Sequence, residues 1–179
     1  MKNATSCFLF FLLFFCLQKA KSQTAEYEVQ KIVIGDINND KIIDTAYVKS
    51  PKFIDDKDGW GDCKDGNCLI TVGFSCQYPD IVLKNAVAGD VENIGDIDGD
   101  GISEIIIIPS WFVGCWGQIH FFTLKNKKWK NVGTARRNIC QEESYLKGIK
   151  KIKGKKIHVL EEIMEDGDVV KKWKVMPIK

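Results

Sequence analysis

The chain has 179 residues, with 26 Lys and Arg against 24 Asp and Glu and a formal net charge of +2. A balance this close to neutral implies no strongly anionic partner, so nucleic acid is not among the partners expected. Hydrophobic residues make up 45% of the composition, which excludes a disordered polar chain.

Residues 1–23 open on Met1-Lys-Asn-Ala-Thr-Ser, run apolar from Cys7 to Leu17, and leave through Gln18-Lys-Ala-Lys-Ser-Gln23. A basic start, a short apolar run and a small-residue exit read as a secretory signal peptide cut near Ser22 or Gln23. The run is well short of the ~20 residues that span a bilayer. Lipid anchoring at Cys16 is the alternative, and bulky Phe15 before it fits poorly. No second apolar stretch reaches spanning length. The expectation is a secreted protein, extracellular or periplasmic, soluble and monomeric. Residues 24–179 then form a single domain of about 155 residues, enough for a real core.

From Tyr27 the chain reads as strands and turns throughout. Tyr27–Gly35 and Thr45–Lys49 flank a loop, Ile34-Gly-Asp-Ile-Asn-Asn-Asp-Lys-Ile-Ile-Asp44. Sixty positions on, Ile94-Gly-Asp-Ile-Asp-Gly-Asp-Gly-Ile-Ser-Glu104 repeats it between Val87–Gly95 and Glu104–Ile108. Oxygen-bearing side chains stand at positions 1, 3, 5 and 9 of both loops: Asp36, Asn38, Asp40 and Asp44, then Asp96, Asp98, Asp100 and Glu104. Alternate residues of a tight loop point inward, so these groups converge. With a carbonyl from position 7 they supply the roughly 6–8 oxygens that calcium takes. No thiol or imidazole belongs to either set, which argues against zinc and copper. An EF-hand needs helices around the loop, whereas Thr45-Ala-Tyr-Val and Ile105-Ile-Ile-Ile are β-branched runs that prefer strands.

These two D-x-[DN]-x-D-x-x-x-[DE] loops, each in a Gly-Asp context and followed by an aliphatic strand, resemble the FG-GAP/VCBS repeats of integrin-type β-propellers. The resemblance covers roughly residues 29–50 and 87–110. It implies two blade-like units, about 29–85 and 86–135, each with calcium held between two strands. The implied ligands are Asp36, Asn38, Asp40, the Ile42 carbonyl and Asp44, and Asp96, Asp98, Asp100, the Ile102 carbonyl and Glu104. Lys41 stands where Gly is usual and Asn38 replaces a carboxylate, so the first site is expected to be weaker. The family implies adhesion or ligand recognition.

Between the loops, Pro51–Asn67 is a polar insertion carrying Asp55, Asp56, Asp58, Asp62 and Asp65 with Trp60. It lacks the 1-3-5-9 frame and reads as a solvated loop. Leu69–Ser75 and Ile81–Leu83 are strands. Ile105–Ile108 is continuously apolar, as expected of a central strand buried on both faces. Trp111, Phe112 and Trp116, with Cys115 and two glycines, form either a structural seal or a candidate ligand platform, for a sugar ring as one example. Gly117–Leu124 and Trp129–Thr134 form a hairpin. The C-terminal part, about 145–176, is a meander of Tyr145–Ile152, Lys155–Glu161 and Val169–Val175, and Asn138–Leu146 has room for one helical turn. Lysines at 125–130 and 147–156 read as solvated sheet edges.

Secretion leaves Cys63, Cys68, Cys76, Cys115 and Cys140, an odd number that allows two bridges at most. Cys63 and Cys68 flank a turn and are expected to pair. The second bridge would come from the other three, and spacing does not choose among them. Catalytic signatures are missing: there is no G-x-S-x-G, H-E-x-x-H or phosphate-binding Gly loop, and His120 and His158 lie inside strand patterns. The fold expected is all-β, about two propeller-blade-like antiparallel sheets plus the meander, too few for a closed propeller. The function expected is a secreted module with structural calcium that binds a protein or glycan without catalysis. The alternative is a small secreted hydrolase or lectin acting on saccharide.

Overall fold

The computed structural model describes residues 28–54, 61–64, 66–140 and 144–178. The expected signal segment with Cys16, and Asp55, Asp56, Asp58, Trp60 and Asp65 of the insertion, lie outside them.

Alternating and continuous apolar runs become antiparallel strands. The first sheet has the order β1-β2-β5-β6, built from β1 (Glu28–Gly35), β2 (Asp44–Ser50), β5 (Leu69–Phe74) and β6 (Ile81–Lys84). A small hairpin of β3 (Phe53–Ile54) and β4 (Asp62–Cys63) is inserted between β2 and β5. Both strands therefore lie inside the stretch read as a solvated insertion, where two-residue strands leave no periodicity to detect. The second sheet is an up-and-down meander of β7 (Ala88–Gly95), β8 (Glu104–Ser110), β9 (Trp116–Lys125) and β10 (Lys128–Asn138). The third has only β11 (Ile149–Ile152), β12 (Lys156–Glu165) and β13 (Asp168–Pro177). The fold is thus all-β, as expected, with sheets of blade-like topology and none closed into a barrel or propeller.

The three sheets stack. Ile105 and Ile107 of β8 pack with Ile34, Val48, Ile70 and Val72 of the first sheet. Their neighbours Ile106 and Ile108 point the other way, into a cluster with Ile157, Val159 and Met176 of the third sheet. Side chains alternate across a strand, so one run of four isoleucines feeds two cores, and all four are at most 3% exposed. The central strand expected there is present.

Tight turns follow the local chemistry. Asn126-Lys127, Gly154-Lys155 and Asp166-Gly167 all have positive φ at both positions, the geometry that two-residue hairpins favour because its twist matches the strands. Tyr145–Ile152 is not one strand. Tyr145–Gly148 is a 3₁₀ turn capped by the Ser144 hydroxyl, which accepts from the Leu146 N–H, and only Ile149–Ile152 is extended. Cys63–Cys68 and Cys115–Cys140 are disulfides, and Cys76 is the free thiol among the described residues.

Candidate metal centre

Each acidic loop joins the first two strands of its sheet, and the two are built alike. Before each, the strand register slips, between Val33 and Gly35 and again between Asn93 and Gly95. Both glycines have positive φ, and so do the paired positions Asn39 and Gly99, and Lys41 and Gly101. Asn93 ties the loops together, its amide donating to the Ile34 carbonyl at 3.0 Å, while the Ser103 N–H donates to the Ile37 carbonyl at 2.8 Å. Both loops therefore lie at the same end of the stack.

Within the loops, carboxylates at position 1 organise the backbone. Asp36 accepts from the N–H groups of Asn38, Asp40 and Lys41. Asp96 accepts from those of Gly99, Asp100 and Gly101. Burial pushes the Asp96 carboxyl up, but these N–H groups and the Lys151 ammonium outweigh it and hold the group below its ordinary range. The N–H of each seventh-position residue, Ile42 and Ile102, donates to the carboxylate at position 5, Asp40 and Asp100.

The ninth positions carry the deepest acids. Asp44 accepts from the Ile37 N–H at 3.1 Å and from the Ser75 hydroxyl at 2.9 Å. Glu104 accepts from the Ile97 N–H at 2.7 Å and from the Thr123 hydroxyl at 2.8 Å. Glu104 is 1% exposed and Asp98 4%. Burial raises the Glu104 carboxyl, and the nearby Asp98 charge adds to it. Sequence comparison at a sixty-residue offset misses Ser75 and Thr123, because they stand 31 and 19 residues beyond their acids. The β3–β4 insertion lengthens the first unit and breaks the alignment.

The loops differ at position 3. The Asn38 amide donates to Asp40 at 2.8 Å. In the second loop the equivalent atom is a carboxylate oxygen, and the Lys125 ammonium bridges Asp98 and Asp100. Those two acids in turn hold the Lys125 ammonium above the ordinary lysine range. Lys151 reaches the Asp96 carbonyl. Four acids facing two ammonium groups leave two negative charges, the amount a divalent cation neutralises.

The donor set fits such an ion. Carboxylate oxygens of Asp96, Asp98 and Glu104 lie within 4.8 Å of one another, a separation that lets one cation touch all three at roughly 2.3–2.6 Å. Among the described residues, Asp36, Asp40 and Asp44 do not form such a group. The other grouping, Asp62 with Cys63 and Cys68, offers no thiolate, because those sulfurs are bonded to each other.

Lys41 carries a cost of its own. Its φ of 70° lies where Gly101 sits at 86°, and a side chain there is strained by about 1–2 kcal/mol. Glycine gives back part of that through its freedom in the unfolded chain. Lys41→Gly is expected to stabilise the protein by about 0.5–1 kcal/mol, read as a higher urea midpoint. A lower midpoint would show that the lysine side chain makes contacts worth more than the strain.

The remaining candidates separate. Trp111 and Trp116 line one cleft, whereas Phe112 packs against Gly61 and stays out of it. Cys76 lies beside Asp44. Burial, reinforced by that carboxylate, pushes its thiol up to about 12, so little thiolate forms at neutral pH. His120 stacks beside Phe122 and His158 lies tilted beside Trp173, on different sheets. Glu161 pairs with Lys174 and Glu162 with Arg137, so these neighbouring acids serve separate ion pairs.

Comparison with protein-family models, with curated proteins and with solved structures returns no match. Among the described residues no helix is long and apolar enough to cross a membrane. The two disulfides are consistent with an oxidising, extracellular environment.

Proposed function

We propose that this chain is a secreted, calcium-stabilised module of the FG-GAP/VCBS type that binds a partner without catalysis. The gathering of Asp96, Asp98 and Glu104 carries the reading. Backbone N–H groups and the Thr123 hydroxyl already hold these carboxylates in place, so an ion entering them orders little. Calcium would neutralise the loop and fix the β7–β8 hairpin. Asp36, Asn38, Asp40 and Asp44 would form the weaker second site, since Asn38 contributes an amide where Asp98 contributes charge. The structural role is favoured over a catalytic one because Glu104 and Asp98 are buried, out of reach of a large substrate.

Calorimetric titration of EDTA-stripped protein with calcium tests this. One dominant site is expected, abolished in Asp98→Ala and kept in Asn38→Ala. Heats no larger than dilution would overturn it. The saccharide-hydrolase alternative draws less support: none of the described residues lining the tryptophan cleft is acidic, whereas glycosidases ordinarily need a carboxyl pair.

A further inference from the structure

A second concave site opens where the β6–β7 connection meets the end of β8 and the start of β9. It is a cleft of about 330 Å³, at the small end of the range for small-molecule sites. Two indoles stand in it, Trp111 at 45% exposed and Trp116 at 38%. Both are held in position. Trp111 meets Phe112 edge-on at 5.2 Å, and the Arg136 guanidinium lies 5.4 Å over the Trp116 ring. The Cys115–Cys140 disulfide fixes the residue before Trp116 to the chain just beyond β10. A ligand landing here has little protein to order, which favours binding.

The polar lining is mostly neutral. Asn85 and Gln118 bring amides. Burial holds His120 below its ordinary range, and the Asn131 amide lies 3.0 Å from its Nδ1, so an uncharged imidazole accepts there. Lys84 supplies the one positive charge among the described lining residues, and no carboxylate accompanies it.

Flat π faces beside amides suit a ligand with an apolar face and a rim of hydroxyl groups. A pyranose ring has that form: its C–H hydrogens lie against the electron-rich face of an indole, and its hydroxyls exchange hydrogen bonds with amides. The Lys84 ammonium at the edge, with the Arg136 guanidinium over Trp116, adds a preference for a carboxylate substituent. The geometry points to a saccharide-binding cleft that takes a uronate unit of a glycan. This inference rests on the reading of the chain as a non-catalytic binding module and is independent of the metal.

The oxidised protein would be titrated, with tryptophan fluorescence as readout, against a hexasaccharide alternating glucuronate and N-acetylglucosamine. The N-acetylglucosamine hexamer is its neutral counterpart. The uronate oligomer is expected to bind, and Trp111→Ala and Trp116→Ala each to weaken it about tenfold or more. Lys84→Ala, a change at an exposed residue, is expected to reduce the preference for the uronate over the neutral oligomer. No fluorescence change with either oligomer, or binding that survives in both tryptophan variants, would overturn the assignment. Equal binding of the two oligomers by the unmodified protein would overturn the uronate. Release of new reducing ends would instead overturn the non-catalytic reading, and the calcium titration on the same sample reports separately on the metal.

Discussion

Returned to millimolar calcium after EDTA treatment, the oxidised protein is expected to melt about 5–10 °C higher than in chelator. A site with a dissociation constant near ~10 μM adds about 2.7 kcal/mol at about 1 mM free ion. For a domain of this size, each kcal/mol moves the midpoint by about 2–4 °C. Asp98→Ala should lose most of the increment, because Asp98 is buried and shared with Glu104 in one carboxylate group. Asn38→Ala should keep most of it. An equal rise with magnesium would point to charge screening in place of a fitted calcium shell, since magnesium demands a tighter octahedron. No rise at all would reduce both loops to acidic turns held by their own backbone.

The second large effect is expected where the middle and third sheets meet. Glu162 is 0% exposed and accepts from the Asn138 N–H at 2.9 Å. Arg137 Nε stands 3.8 Å away, and Lys171 Nζ 3.4 Å from the other oxygen. Arg137 is itself buried, its guanidinium over the Tyr145 ring and against Gly148. Removing one member of a buried pair strands the other, at about 3–5 kcal/mol. Glu162→Ala should therefore lower the midpoint by about 6–20 °C. The exposed pair Lys172–Glu165 is the control, and Glu165→Ala should change stability by less than about 1 kcal/mol.

Acid should erase the contribution of Glu162. Burial pushes its carboxyl up, but the Asn138 N–H and the Arg137 and Lys171 charges outweigh this and hold it below its ordinary value. A group depressed in the folded state binds its proton more readily unfolded. Its stabilisation is complete above the unfolded value near ~4.3 and disappears as pH falls through the folded one. The gap between the unmodified protein and Glu162→Gln should narrow below about pH 4. A gap that is flat across that range would show that Glu162 acts through packing alone.

Much of this architecture was legible because the strands obey local rules. Ile105–Ile108 announces a strand covered on both faces, and it feeds both cores. Lys153-Gly154 and Glu165–Asp168 announce hairpins, and hairpins form there. The gathering of Asp96, Asp98 and Glu104 follows from alternate spacing in a tight loop, whereas the same spacing does not gather Asp36, Asp40 and Asp44 among the described residues. What escaped is what depends on three-dimensional register. Thr123 and Lys125 reach the second loop from β9, and Ser75 reaches the first from just beyond the end of β5, at sequence distances the repeat offset does not share. The partner of Cys115 was undecided because it follows from the β9–β10 register, Trp116 opposite Asn138. A bulge between Asn131 and Gly133 displaces that register, and nothing in the local composition marks it.

Each hydrophobic cluster draws on two neighbouring sheets, one joining the first and second, the other the second and third. Among the described residues only the middle sheet has both faces covered, so its amides have no route to solvent that leaves both interfaces intact. Opening should then proceed from the outside inward. Amides of β13, where Val169, Trp173 and Val175 are about half exposed, should exchange with deuterium at low free energy. Those of β8 should wait for global unfolding. A ring of blades has no outermost member. A stack has two, and the order in which its layers let go is written in which of them lacks a neighbour.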